Sequence, residues 1–152
     1  MQVSRISRPV TVLLYILLMS SCVFVITLPF LIDTYALLFN GTVFSDGVYR
    51  LFVIILLMVS GSGTVWILIE LISMMKSTRK DPFITRNVTS LRRMGVIALF
   101  ISALFFIKCI VYLTPLTLAC ALVLMLCGLF SLVLMDVFKQ AVKYKQENDL
   151  TI

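Results

Sequence analysis

Apolar residues run almost unbroken through four stretches of the chain: Val10–Ile32, Leu51–Met75, Met94–Thr114 and Leu116–Met135. Glu70 and Lys108 are the ionisable side chains within them. Each stretch is about 20 residues or longer, and at about 1.5 Å of helical rise per residue that crosses a hydrocarbon core of ~30 Å. A backbone in lipid must satisfy its own hydrogen bonds, so each stretch is expected to be a helix. The pattern predicts an all-α, polytopic membrane protein with four transmembrane helices in one domain over residues 1–152. The expected spans are 10–32, 51–76, 87–114 and 116–138, with a cytoplasmic helical tail over 139–152.

Polar residues punctuate these spans. Asn40-Gly41-Thr42 and Ser45-Asp46-Gly47 mark turns in the loop Asp33–Arg50. Tyr35, Phe39, Phe44 and Tyr49 suit a loop at the lipid interface. Pro29 is expected to bend or end span one. Ser60-Gly61-Ser62-Gly63 puts a close-packing notch or a flexible point in the middle of span two, packing being the simpler reading. Asp81-Pro82 reads as a stop and restart, and Asn87 as a cap of the third helix. Thr114-Pro115 joins the last two spans in a tight antiparallel hairpin.

Basic residues set the orientation. They flank the spans at Arg5 and Arg8, at Lys76, Arg79, Lys80, Arg86, Arg92 and Arg93, and at Lys139, Lys143 and Lys145. The opposite side holds Asp33, Asp46 and Arg50. Lys and Arg in short loops stay on the cytoplasmic side, so both termini are expected there (N-in/C-in), in the cell (plasma) membrane. The net charge of +6 is therefore first a topology signal and second an attraction to anionic lipid. No basic surface with interleaved aromatics points to direct nucleic-acid binding. Arg5 and Arg8 ahead of an apolar run imitate a signal peptide, and Met19-Ser20-Ser21-Cys22 imitates a lipoprotein box. The run continues through Val23–Ile32, past the ~7–15 residues of a signal core, so a retained helix is expected.

Composition then narrows the chemistry. Histidine is absent, which removes the commonest metal ligand and general base. Cys22, Cys109, Cys120 and Cys127 all lie inside spans without CxxC spacing. Outside the spans no segment is long enough for a packed catalytic domain. The expectation is no enzyme, no metal and no cofactor.

Charge at the bilayer centre costs at least about 2.5–3.5 kcal/mol, so Glu70, Lys108 and Asp136 are the polar positions to explain. Glu70 precedes Lys76 by six residues, about 9 Å at helical rise, and Asp136 is also near the basic end. Lys108 lies about 22 Å beyond Arg93 on the same scale, and its stem can snorkel outward. A Glu70–Lys108 bridge is not expected. Glu70 or Asp136 is expected to pair with Arg92, Arg93 or Lys139.

Two motifs carry a family likeness. One is Pro82-Phe83, Asn87, Leu91-Arg92 and Gly95, the pattern P-F-x3-N-x3-L-R-x2-G entering a membrane helix. The other is the terminal Glu147-Asn148-Asp149-Leu150-Thr151-Ile152. With four spans, the chain resembles a bacterial domain-of-unknown-function family of small four-helix membrane proteins. The resemblance implies a gene neighbour, a very small helix-turn-helix protein of the phage-repressor type, and no catalytic residues.

Two functions follow as expectations. The first is a membrane regulator that holds a small cytoplasmic helix-turn-helix regulator through its inner loop and tail. Its expected contacts are Pro82, Phe83, Arg86, Asn87, Arg92, Arg93, Glu147 and Asp149. The alternative is a subunit or accessory component of a membrane transport or envelope complex. An oligomer is compatible with either.

Overall fold

The computed structural model describes residues 3–38, 47–78 and 84–149, without the side chains of 3–8, 33, 35–38 and 149. They form four helices: α1 (Val3–Leu38), α2 (Gly47–Thr78), α3 (Thr85–Val111) and α4 (Pro115–Asp149). All four are long and apolar enough to cross a membrane. Each packs antiparallel on the next. α1 touches α2, α2 touches α3 and α3 touches α4, while no Cα of α1 comes within 8 Å of α3 or α4.

α1, α2 and α4 exceed the expected spans. α1 passes through Pro29 and reaches Leu38, so the proline does not end it. A spanning helix tolerates the lost N–H because neighbouring helices and local adjustment re-satisfy the freed backbone. α2 begins at Gly47, which shortens the first loop to residues 39–46. That remainder and the Asp81-Pro82 stop lie outside the described residues. The Ser60–Gly63 segment is continuous helix.

Asn87 is not the cap of α3. The N-cap is Ile84, in extended conformation and without a side-chain cap bond. The helix starts early enough that Asn87 falls inside its first turn, fully buried, with its amide Nδ2 3.4 Å from the Thr78 hydroxyl. At the other end α3 stops at Val111 rather than Thr114. Tyr112 turns extended and donates its N–H to the Lys108 carbonyl at 2.9 Å. Pro115 disfavours helical geometry in the residue before it and suits the first position of α4. α4 then runs unbroken to Asp149.

α3 is the central helix. Its buried residues recur at three- and four-residue spacing from Asn87 to Cys109, as a helix covered on two sides requires. The α3–α4 seam is built of small residues. A methyl group added at Gly95 would lie 3.1 Å from the Gly128 carbonyl oxygen and 2.9 Å from the Leu132 side chain. One added at Gly128 would lie 3.1 Å from the Gly95 carbonyl oxygen. Ser102 donates to the Ala121 carbonyl and Ser131 to the Leu91 carbonyl, each at 2.8 Å. Small residues let two backbones approach closely, which is what binds helices in lipid.

Candidate functional site

Polar side chains gather at the two ends of the bundle, and an apolar cleft lies between. At the basic end a clasp joins α2 to α3. Glu70 projects from α2 and is largely buried, its side chain 12% exposed. Arg93 Nη1 donates to Glu70 Oε1 at 3.0 Å and Ser90 Oγ to Oε2 at 2.8 Å. Trp66 lies one turn earlier on α2. A carboxylate at this depth is tolerable because both oxygens are met by donors. Arg86 Nη2 donates to the Ser73 hydroxyl at 2.7 Å, one turn nearer the helix ends. The spacing of Ser73, Glu70 and Trp66 is helical, as is that of Arg86, Ser90 and Arg93, so each set lies on one face.

The other expected contact residues fall around this clasp. Arg92 is exposed and forms no ion pair with a described residue. Glu147 lies 3.7 Å from Lys143, one turn apart on exposed α4. Pro82, Phe83 and the Asp149 side chain lie outside the described residues. Asp136 is exposed and forms no ion pair with a described residue. The register that sets Gly95 against Gly128 brings Thr85 level with residue 138. Residues 139–149 of α4 therefore extend past the start of α3, by about 16 Å at helical rise. Val142 lies in this extension and is buried.

Lys108 is at the opposite end, and Glu70 does not reach it. Its ammonium donates to the Thr114 hydroxyl at 2.8 Å and to the Thr117 hydroxyl at 2.9 Å. The two hydroxyls also bond each other. The ammonium stands 5.8 Å from the centre of the Tyr112 ring, and Tyr49 at the start of α2 approaches that ring at 6.0 Å. Lys108 thus folds back toward its own turn.

Between the ends, a cleft of about 530 Å³ is lined by residues of all four helices and almost wholly by apolar atoms. α1 and α4 both line it, and no Cα of one comes within 8 Å of the other.

Ser73, Ser90, Thr114 and Thr117 were not legible as partners from residue type alone. The usable signal was depth: Glu70 and Arg93 fall at one level of an antiparallel pair, and Thr114 and Thr117 follow Lys108 across a turn of three residues. Among the described residues, no three Cys, Asp or Glu side chains are grouped to hold a metal ion. The clasp pairs a carboxylate with its donors.

Residues 47–152 match the family described as a protein of unknown function, DUF2975. The chain belongs to that family. The match begins at the first residue of α2 and takes in α3 and α4. No curated protein and no solved structure matches the chain.

Proposed function

We propose that this member of the DUF2975 family is a regulatory protein of the cell membrane, with both termini in the cytoplasm. Its cytoplasmic face, made of the 81–93 segment and the tail 139–152, holds a small helix-turn-helix transcription regulator and releases it on a signal. The observation that carries this reading is the asymmetry of the polar groups. Arg86, Arg92, Lys139, Lys143 and Glu147 share the end at which α4 extends past α3. Lys and Arg beside the spans support the cytoplasmic assignment of that end. An exposed arginine beside a mixed-charge helix suits carboxylate and backbone contacts with a folded partner.

Arg93 is held by Glu70, so replacing it mixes docking with bundle stability. The cleaner test combines Arg92→Ala with deletion of Glu147–Ile152. Expected is loss of the neighbouring helix-turn-helix protein from the membrane fraction, with the variant itself still present there at parental abundance. Unaltered retention of that protein rules out this face as the docking site. Topology is checked by cysteines placed at Thr42 and Asn148 after Cys22, Cys109, Cys120 and Cys127 are replaced. An impermeant reagent applied to whole cells should label position 42 and spare 148.

A further inference from the structure

The Lys108 cluster and the cleft have so far been treated apart, but helical periodicity joins them. Phe105, in the cleft, lies one turn before Lys108 on the same face of α3. Cys120, also in the cleft, lies one turn after Thr117 on the same face of α4. The cleft then runs deeper along Ile101 and Leu124 and is walled by Val25 and Gly61. From Lys108 to Ile101 the helical rise spans about 10 Å. The ammonium and its two hydroxyls therefore lie about one helical turn beyond the end of the apolar groove, in helices long and apolar enough to span a membrane.

Two observations select the occupant. Lys108 is an ammonium ion inside a span, and it has no carboxylate within ion-pair distance among the described residues. Its two hydrogen-bond partners are neutral hydroxyls, and an ammonium has three donors. An anionic oxygen is the kind of partner that complements its charge. The groove beside it is lined by α1 and α4, whose Cα atoms stay more than 8 Å apart, and in a bilayer an alkyl chain is the available filler.

We infer that Lys108, Thr114 and Thr117 bind the phosphate of an anionic phospholipid whose acyl chain lies in the α1–α4 cleft. Lys108 donates its third N–H to a phosphate oxygen, and the threonine hydroxyls hold the ammonium in place. The lipid belongs to the leaflet at the turn end, opposite the proposed docking face, and the inference does not depend on that function.

The test uses the full-length protein, delipidated in detergent and offered equal phosphatidylglycerol and phosphatidylcholine with identical chains. Retained lipid is counted by native mass spectrometry. Lysines at the basic end contribute equally to parent and variants, so the difference between them isolates Lys108. Lys108→Met should lower phosphatidylglycerol retention roughly fivefold, the worth of one lysine at a lipid surface, and leave phosphatidylcholine unchanged. Lys108→Arg should keep the parental preference. Retention by Lys108→Met equal to that of the parent overturns the site. A second measurement follows the acyl chain through Cys120, which is exposed and lines the cleft. With the other cysteines replaced, phosphatidylglycerol should slow maleimide modification of Cys120 several-fold, and soluble glycerol phosphate should not. An equal rate with and without the lipid, or full displacement of the lipid by glycerol phosphate, overturns the two-part site.

Discussion

The α3–α4 hairpin and the α1–α2 pair have similarly apolar membrane-spanning stretches, yet they are held in different ways. In the hairpin, backbone meets backbone at Gly95 and Gly128, and serines of each helix donate to carbonyls of the other. In the α1–α2 pair, a side chain meets a backbone: Val25 lies over Gly61. Among the described side chains, the buried residues of α1 are Leu14 and Leu28, against nine on α3. Apolar composition cannot produce this difference, because lipid is as apolar as leucine and gives helices no hydrophobic reason to associate. Close packing and interhelical hydrogen bonds decide which helices stay together. The hairpin has both. α1 packs on one neighbour, α2, through contacts between side chains and backbone.

The largest expected effect comes from breaking the hairpin. Gly95→Leu places a branched side chain where a methyl group already stands 3.1 Å from a carbonyl oxygen. The backbones must separate, and Ser102 and Ser131 then lose their acceptors. The expected loss is about 3 kcal/mol, the upper range for overpacking a tight core. Unfolding in detergent mixtures, followed by circular dichroism, measures it. A loss no larger than that of Gly61→Leu would remove the distinction between the two seams.

The clasp ranks next because it ties α2 to the hairpin. Glu70→Gln removes the charge that Arg93 meets and keeps an acceptor for Ser90. With Arg93 60% exposed, the pair is partly screened, and about 1 kcal/mol is expected. Tyr15→Leu, which removes the ring 5.5 Å beneath Lys76, tests the corresponding contact of α1 with α2 and should cost about half as much. Both are read in the same unfolding assay. Glu70→Gln should also leave proton flux in reconstituted vesicles at the parental level. A parental flux abolished in the variant would promote the transport alternative.

These partners mark where the sequence stopped being readable. The four spans were legible because membrane insertion is a property of each segment and its solvent. Glu70 opposite Arg93 was legible from depth alone. Gly95 stood out in a motif, but its partner Gly128 did not, because pairing depends on the rotation of two helices about their axes. Asn87 was misread for a similar reason: its residue type suits a cap, but the helix begins before it and its amide turns to Thr78. Pro29 does not end α1, because the rule for ending a helix at proline assumes water on the outside.

A smaller effect separates the kinds of contact within the hairpin. Ser102→Ala and Ser131→Ala each remove one hydroxyl donor and leave the close backbone approach intact. The freed carbonyl keeps its own helical hydrogen bond. Interhelical hydrogen bonds in membranes average about 0.6 kcal/mol, and each variant should lose that much. The two sites are far apart along the seam, so the double variant should lose the sum. A loss approaching that of Gly95→Leu would make hydrogen bonding, rather than closeness, the dominant bond of the seam.

The smallest effect is expected at Gly61, where two opposing terms nearly cancel. Alanine there brings a methyl group to 2.6 Å from Val25 Cγ2, too close to leave undisturbed. What it meets is the end of a side chain on α1, and α1 touches no other helix that would hold it in place. A small outward shift of α1 relieves the contact at the expense of dispersion with α2. Against that loss, alanine is favoured over glycine inside a helix by about 1 kcal/mol. Gly61→Ala should therefore change stability by less than about 0.5 kcal/mol in either direction, whereas Gly95→Ala, pressed against backbone, should lose stability in spite of the same helical gain. Distances between spin labels on α1 and α2 should lengthen in Gly61→Ala, while those between α3 and α4 stay fixed. Equal losses at the two glycines would mean that α1 is held as firmly as the hairpin.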